Sequence, residues 1–258
     1  MIDYPDHPDG VDWPGAEWPR GTLDDRSQRQ LEALVDHAFS SPDLPGSMAE
    51  VIVHRGRVVL ERYQGSTHVP GQEWGADPVP VDAVTPMLSW SMAKSVTSDL
   101  IGLLVHDGVL DVDQPAGFDA WADDERASIT IAHLLGMVDG LAFQEDYVDA
   151  GVSDVMEMLF GSGKDDVAAY AMSRPLTHRP GTRWSYSSGT TNLLAAVIAR
   201  HVGAGATAAM AARRLFDPIG MTTASIKTDA AGTFVGLGLE CAYDTCWRRP
   251  SLRPGVLP

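Results

Sequence analysis

Residues Pro86–Thr97 read PMLSWSMAKSVT and place a hydroxyl and an amine three positions apart, at Ser91 and Lys94. Residues three apart on a helix share a face, so the lysine amine can reach the serine hydroxyl without help from the rest of the fold. Apolar residues continue to Leu104, and burial lowers the pKa of a lysine until its amine accepts a proton. The stretch therefore predicts a serine nucleophile and a lysine base at the start of a buried helix.

The composition indicates a packed globular protein without a nucleic-acid partner. The chain has 258 residues, 44% of them apolar and 21% charged, enough for one large domain or two subdomains. Its formal net charge is -16. A chain this acidic has no basic patch to neutralise phosphates, so nucleic acid is excluded as a partner.

Targeting signals and metal motifs are missing from the sequence. No run approaches the roughly 18 apolar residues of a membrane span, and the first residues lack the basic and apolar regions of a signal peptide. We therefore expect a cytoplasmic protein with no membrane partner. The two cysteines, Cys241 and Cys246, make neither a disulfide framework nor a Cys/His zinc pattern, and no metal or cofactor is expected.

Turn residues and apolar spacing divide the chain before the motif. Four prolines and two tryptophans in residues 1–25 indicate an arm that lies along the surface. Helical apolar spacing predicts a helix over Ser27–Phe39. Two β-branched runs around a glycine predict an antiparallel hairpin over Val51–Tyr63, where a sheet begins.

The middle of the chain is predicted to be a helical layer. A helix over Ser91–His106 ends before Gly108, which suits a C-terminal cap. Glycines and prolines separate five further stretches with helical patterns: Ile131–Met137, Val152–Phe160, Val167–Met172, Thr191–Val202 and Thr207–Phe216.

A second motif precedes the helix at Thr191. The turn-rich stretch PGTRW, Pro180–Trp184, leads into Tyr186-Ser187-Ser188-Gly189. A tyrosine at such a turn can present its phenol to a neighbouring site. Together, the two motifs are more specific than Ser-x-x-Lys alone, which is a weak signal.

Both motifs, with Leu88–Pro115, Ile129–Met137 and Leu215–Met221, resemble the serine β-lactamase and penicillin-binding-protein superfamily in its class C and esterase branch. They are most similar to nylon-oligomer (6-aminohexanoate-dimer) hydrolases, over about residues 27–236. The resemblance implies an α/β (α+β) chain with a β-lactamase-like fold and a helical subdomain.

The resemblance also implies roles for single residues. Ser91 resembles the acylated nucleophile, Lys94 its proton acceptor, and Tyr186 the residue that passes a proton to the leaving group and later activates water. The Ser91 backbone N–H would be one oxyanion donor. Ser188 stands where β-lactamases of this branch have the asparagine of Tyr-x-Asn, and this departure favours an esterase or amidase.

Other side chains near the motifs receive weaker assignments. Ser188, Trp90 and Tyr147 are the candidate substrate-binding residues. We expect His133 to be structural, and Glu145 and Asp146 to face solvent.

The family's third motif, Lys-Thr-Gly or a His-x-Gly-like variant, is not found after Tyr186. In the family a late strand carries this motif and the other oxyanion donor, so its loss implies an incomplete sheet and a rate lower by roughly 100- to 1000-fold. We interpret residues 237–258 as a non-family tail produced by a frameshift soon after Gly236, which truncates the protein. The predicted organisation is an arm at 1–25, the first part of the α/β subdomain at 26–86, the nucleophile helix and helical subdomain at 87–236, and the tail.

Three functions remain open. The first is a serine hydrolase that forms an acyl-enzyme at Ser91 with a small-molecule carboxylic ester or linear amide. The second is a truncated, non-catalytic remnant or binding module, which the missing third motif favours. The third is a β-lactamase or D,D-peptidase, which Ser188 and the missing signal peptide disfavour.

Overall fold

The computed structural model of the chain describes residues 8–11, 18–44, 46–69, 72, 75–148, 151 and 153–242, the last six by their backbone alone. The chain divides into two units. The first takes in the chain up to Met87 and returns for Phe216–Ala224, and the second comprises Leu88–Leu215 and Ser225–Glu240.

A helix and a hairpin form the centre of the first unit. Helix α1 (Asp25–Ser40) begins after Asp24, whose carboxylate accepts the backbone N–H groups of Arg26 and Ser27. Strands β1 (Ala49–His54) and β2 (Arg57–Tyr63) pair antiparallel. The turn between them, Arg55-Gly56, has two positive φ angles, +49° and +74°, as hairpins with two-residue loops require. The predicted helix and hairpin are confirmed.

The second edge of β2 is covered by the segment Pro19–Gly21. The backbone N–H of Val58 donates to the carbonyl of Pro19 at 2.9 Å, and the N–H of Gly21 donates to the carbonyl of Val58 at 3.0 Å. This part of the predicted arm therefore acts as a parallel edge segment. Residues 1–7 and 12–17 of the arm lie outside the described residues.

Short strands connect this region to the second unit. Strands β3 (Ser66–Thr67) and β4 (Val79–Pro80) pair antiparallel, and β5 (Pro86–Leu88) directly precedes the nucleophile motif. The helices that follow are α2 (Ala93–His106), α3 (Ile131–Leu135), α4 (Asp154–Phe160), α5 (Val167–Met172), α6 (Ser188–Val202) and α7 (Thr207–Ala211). They confirm the predicted helical layer.

Helix α6 is the central helix of the second unit. It packs against α2, α3 and α5, and its residues Ser188–Ala195 are all buried. On α2 the buried face includes Val96, Leu100 and Leu104, which are spaced by four residues. Because both motifs lie at the first turns of these two packed helices, the core of the unit brings them together.

Two strands follow the helices, β6 (Ser225–Thr228) and β7 (Phe234–Ala242), and they pair antiparallel. Neither strand is expected from the sequence, because glycines alternate with apolar residues in β7. Close packing explains the glycine at position 236, because a Cβ there would lie 2.7 Å from Cγ2 of Thr191. The mixed fold with small sheets agrees with the prediction, and residues 243–258 of the predicted tail lie outside the described residues.

No single helix in the described part of the chain is long and apolar enough to span a membrane. One bent pair, Ser188–Val202 with Thr207–Ile219 at 89°, meets the requirement by length and composition.

Candidate active site

Ser91 lies in a tight turn at the start of α2. The turn, Trp90–Met92, is a 3₁₀ helix that leads directly into Ala93. Trp90 has a φ of +48°, which is unfavourable for a bulky side chain and indicates a strained backbone of the kind found at functional sites. The Trp90 side chain is 53% exposed.

The amine of Lys94 connects the two motifs. Its Nζ lies 3.1 Å from Oγ of Ser91 and 3.1 Å from Oγ of Ser188, 94 positions further along the chain. Lys94 is half-buried, and so is Ser91. The predicted pairing within one helical turn is therefore present, and the amine has a second hydroxyl partner.

Tyr186 contacts the lysine through its ring. Lys94 Nζ lies 5.1 Å from the ring centroid, within the range of a cation–π interaction. The tyrosine is held by its loop, because Ser185 donates its backbone N–H to the carbonyl of Met137 at 3.0 Å. The structure thus places Tyr186 beside the Ser91–Lys94 pair.

Ser188 is the buried polar centre of the site. It is the first residue of α6, and Ser187 caps the helix by accepting the N–H of Thr190 at 3.0 Å. Ser188 is 1% exposed. Glu145 accepts both hydrogen-bond donors of Ser188: the backbone N–H donates to Oε2 at 2.7 Å and the hydroxyl donates to Oε1 at 2.5 Å.

The expectation that Glu145 faces solvent is wrong. The side chain is half-buried because its carboxylate satisfies two donors of Ser188 and also accepts the hydroxyl of Tyr147. No periodic pattern signals such a contact, since Glu145 lies in a long loop 43 positions from Ser188.

Tyr147 joins the site through this carboxylate. Partial burial of the phenol and its hydrogen bond to Glu145 raise the pKa of Tyr147 to about 12. The phenol therefore keeps its proton at neutral pH and is a hydrogen-bond donor. Of the three candidate binding residues, the structure brings Ser188 and Tyr147 into one hydrogen-bonded cluster, whereas Trp90 lies beside Ser91 without a described contact to that cluster.

Residues 137–148, which we call the Glu145 loop, dock on the first turn of α6 at three consecutive positions. Glu145 binds Ser188, the Phe143 ring packs against Gly189, and Asp139 accepts the hydroxyl of Thr190 at 2.5 Å. Asp139 is buried, and burial raises the pKa of its carboxyl. Its other oxygen accepts the N–H of Leu141 at 2.8 Å. The loop is thus anchored by polar and apolar contacts of the residues that precede Glu145.

Gly189→Ala should detach this loop. A Cβ at Gly189 would lie 2.6 Å from two carbons of the Phe143 ring, a distance that forces the loop to move. We expect a loss of about 1–3 kcal/mol in the free energy of unfolding, together with lower activity. Gly102→Ala on α2 is the matched control, because a Cβ there meets no atom within 4 Å and alanine favours a helix by about 0.5–1 kcal/mol. Urea denaturation of both variants measures the difference, and equal stabilities would contradict the close contact.

His133 has the structural role that the sequence predicts. Its Nδ1 accepts the backbone N–H of Thr130 at 3.2 Å, and the backbone N–H of His133 donates to the Thr130 hydroxyl. These two hydrogen bonds form a capping box at the start of α3. Within the described residues, no group of three or more His, Cys, Asp or Glu side chains is arranged to hold a metal ion.

Comparisons with known proteins place this arrangement in context. A family model described as Beta-lactamase matches residues 31–240. Protein flp from Staphylococcus aureus (strain COL) is 24% identical over 181 residues, which make up 68% of this chain and 34% of that protein.

Solved structures show the same fold at low identity. A Bacillus anthracis protein assigned as a 6-aminohexanoate-dimer hydrolase superposes with a TM-score of 0.66 at 20% identity, over 90% of this chain and 61% of that one. An octameric penicillin-binding-protein homologue from Pyrococcus abyssi gives 0.61 at 19% identity, over 85% and 55%. These likenesses confirm the predicted fold, and the chain spans less than two thirds of the length of each of these three proteins.

Proposed function

Because the chain belongs to the β-lactamase family, whose members are serine hydrolases, we propose that it hydrolyses carboxylic esters or linear amides through an acyl-enzyme at Ser91. The observation that carries the proposal is the contact of 3.1 Å between Lys94 Nζ and Ser91 Oγ. A nucleophile within hydrogen-bond reach of a base is the arrangement that acyl transfer requires.

In the first half-reaction Lys94 takes the proton of Ser91 while Oγ attacks the carbonyl carbon. The tetrahedral oxyanion forms at the N-terminus of α2, where backbone N–H groups and the helix dipole favour negative charge. As the carbonyl re-forms, the bond to the alcohol or amine breaks, and the proton passes to the leaving group through Tyr186. The product of this step is an ester of Ser91.

In the second half-reaction water releases the acid. Tyr186 accepts one proton from water and passes its own phenol proton to Lys94 as the water oxygen attacks the acyl carbon, and Lys94 returns a proton to Ser91 Oγ as that bond breaks. Tyr147 retains its proton at neutral pH and donates it to Glu145, so its exposed ring is the part of the side chain that contacts the substrate.

Two features favour an ester or a linear amide over a β-lactam. Ser188, a short hydroxyl, stands where the family's β-lactamases have an asparagine amide that reaches further. The hydrolase named for a linear amide among the similar structures supports the same class.

The intact cluster also favours a hydrolase over a non-catalytic remnant. Lys94 holds both hydroxyls at hydrogen-bonding distance, and a remnant without function has no need for such a buried polar arrangement.

Hydrolysis of a short nitrophenyl ester and of the corresponding nitroanilide tests the proposal. We expect a burst of nitrophenol equal to the enzyme concentration, followed by slower turnover, because the acyl-enzyme accumulates. The anilide should react more slowly. A folded chain, shown by a cooperative thermal transition, that cleaves neither compound would contradict the proposed function.

A further inference from the structure

We propose that Glu145 is a positioning residue: it fixes the direction of the Ser188 hydroxyl proton, so that Lys94 must donate to Ser188 and turn its lone pair toward Ser91. This role rests on the proposed function. It concerns which group donates and which accepts in each hydrogen bond along the contacts from Glu145 through Ser188 and Lys94 to Ser91.

The carboxylate sets the direction because it only accepts. An ionised carboxylate has no proton to donate, so the proton between Glu145 and Ser188 belongs to the serine hydroxyl. The separation of 2.5 Å between Ser188 Oγ and Glu145 Oε1 is that of a strong, charge-assisted hydrogen bond. The second oxygen is held by the backbone N–H of Ser188 at 2.7 Å, which prevents the carboxylate from turning away.

The fixed direction of the Ser188 proton determines which hydrogen bonds the Lys94 amine can form. Ser188 Oγ, with its proton committed to Glu145, offers only lone pairs to the amine 3.1 Å away. In the base form that the proposed reaction requires, the amine has two protons and one lone pair, and one of these protons is directed to Ser188. The lone pair is left for the proton of Ser91, also at 3.1 Å. If the Ser188 hydroxyl could rotate, it would donate to the same lone pair and compete with the nucleophile.

Glu145→Gln should reverse this direction without changing the shape of the side chain. The backbone N–H of Ser188 cannot rotate, so the glutamine carbonyl oxygen must accept it. The glutamine NH₂ group then points at Ser188 Oγ and at the Tyr147 hydroxyl and donates to both, so the Tyr147 proton turns to solvent. The Ser188 proton is displaced and turns to the lone pair of Lys94.

The kinetic test compares Glu145→Gln with Glu157→Gln in ester hydrolysis. Glu157 is an exposed residue of α4 that accepts the N–H of Ser162 at 2.8 Å, so its replacement makes the same chemical change away from the site. We expect Glu145→Gln to lower the limiting rate of the acylation burst by roughly 10- to 100-fold and to leave unchanged the ester concentration that gives half of that limiting rate, because general-base catalysis is weakened and substrate binding is not. The control should retain the rate of the parent. A Glu145→Gln protein as fast as the parent, or faster, would overturn the proposal.

A double-mutant cycle distinguishes an effect of hydrogen-bond direction from an effect of lost charge or packing. Ser188→Ala removes the hydroxyl that competes for Lys94, so adding Glu145→Gln to it should change the rate by less than about threefold. A loss of the same size in both backgrounds would show that Glu145 acts through charge or packing, and would overturn the proposal.

Nuclear magnetic resonance of ζ-¹⁵N-lysine gives a measurement that does not depend on activity. The chain has three lysines, Lys94, Lys164 and Lys227, so three signals suffice, and Lys94→Met assigns the one from the site. We expect Glu145→Gln to shift the Lys94 signal alone, because its hydrogen-bond partner changes from acceptor to donor. If no signal moves, Glu145 does not control Lys94. A chain that shows this shift but cleaves no ester would contradict the proposed function, although Glu145 would still control the hydrogen bonds of Lys94.

Discussion

Ser91→Ala should lower the rate of nitrophenyl ester hydrolysis by about 10⁴-fold or more and remove the burst. In serine enzymes that use a nucleophile and a base as a unit, removing the nucleophile costs about as much as removing the whole unit. The loss should be confined to the rate, because Ser91 lies half-buried in a turn and the helix that follows is held by its own core.

Ser95→Ala is the matched control for this variant. Ser95 lies in the first turn of α2, four residues after Ser91, and is exposed. The control should therefore keep the rate of the parent within a factor of about three, since exposed substitutions away from a site have small effects. Equal rates for the two variants would show that the observed hydrolysis occurs elsewhere.

Lys94→Met should slow acylation by roughly 10²- to 10⁴-fold at neutral pH. Methionine keeps most of the length and the apolar stem of lysine but removes the group that accepts the Ser91 proton, and general-base catalysis contributes a factor of this size. The variant also leaves Ser188 Oγ without its amine partner at 3.1 Å.

Stopped-flow measurement of the burst rate checks this expectation, with Lys164→Met as the control because Lys164 is exposed. Hydroxide replaces the missing base at high pH, so the rate of Lys94→Met should rise with pH more steeply than that of the parent. A burst as fast as in the parent protein would exclude Lys94 as the base.

Local patterns predicted much of the fold. The bounds of α5, Val167–Met172, agree with the prediction at both ends, because an aspartate cap and a short apolar run define them within the sequence itself. Helix α6 begins three residues earlier than predicted, since Ser187 caps it and a cap is easily taken for part of the preceding turn. Strands β6 and β7 escaped prediction because their pairing is tertiary and glycine is a poor strand residue.

The candidate site, like the fold, is predictable from local sequence patterns only in part. Ser91 and Lys94 lie within one helical turn, so their spacing alone predicts their contact. Ser188 was found through its motif, whereas Glu145 makes contacts that depend on how a long loop docks on α6. The one sequence feature that bears on this docking is Gly189, whose missing side chain makes room for Phe143.

The cluster that results is a continuous chain of polar contacts from Tyr147 through Glu145, Ser188 and Lys94 to Ser91. Three of its members lie at the starts of α2 and α6, and two come from the Glu145 loop. The stability of that loop should therefore influence catalysis, even where a substitution leaves every catalytic side chain in place.

Mass spectrometry of the protein after reaction with a fluorophosphonate identifies the nucleophile. We expect a single adduct on the peptide that contains Ser91, with no adduct on that peptide in Ser91→Ala and strongly slowed labelling in Lys94→Met. An adduct on another residue of the folded protein, or labelling that Ser91→Ala leaves unchanged, would contradict the proposal that Ser91 is the nucleophile.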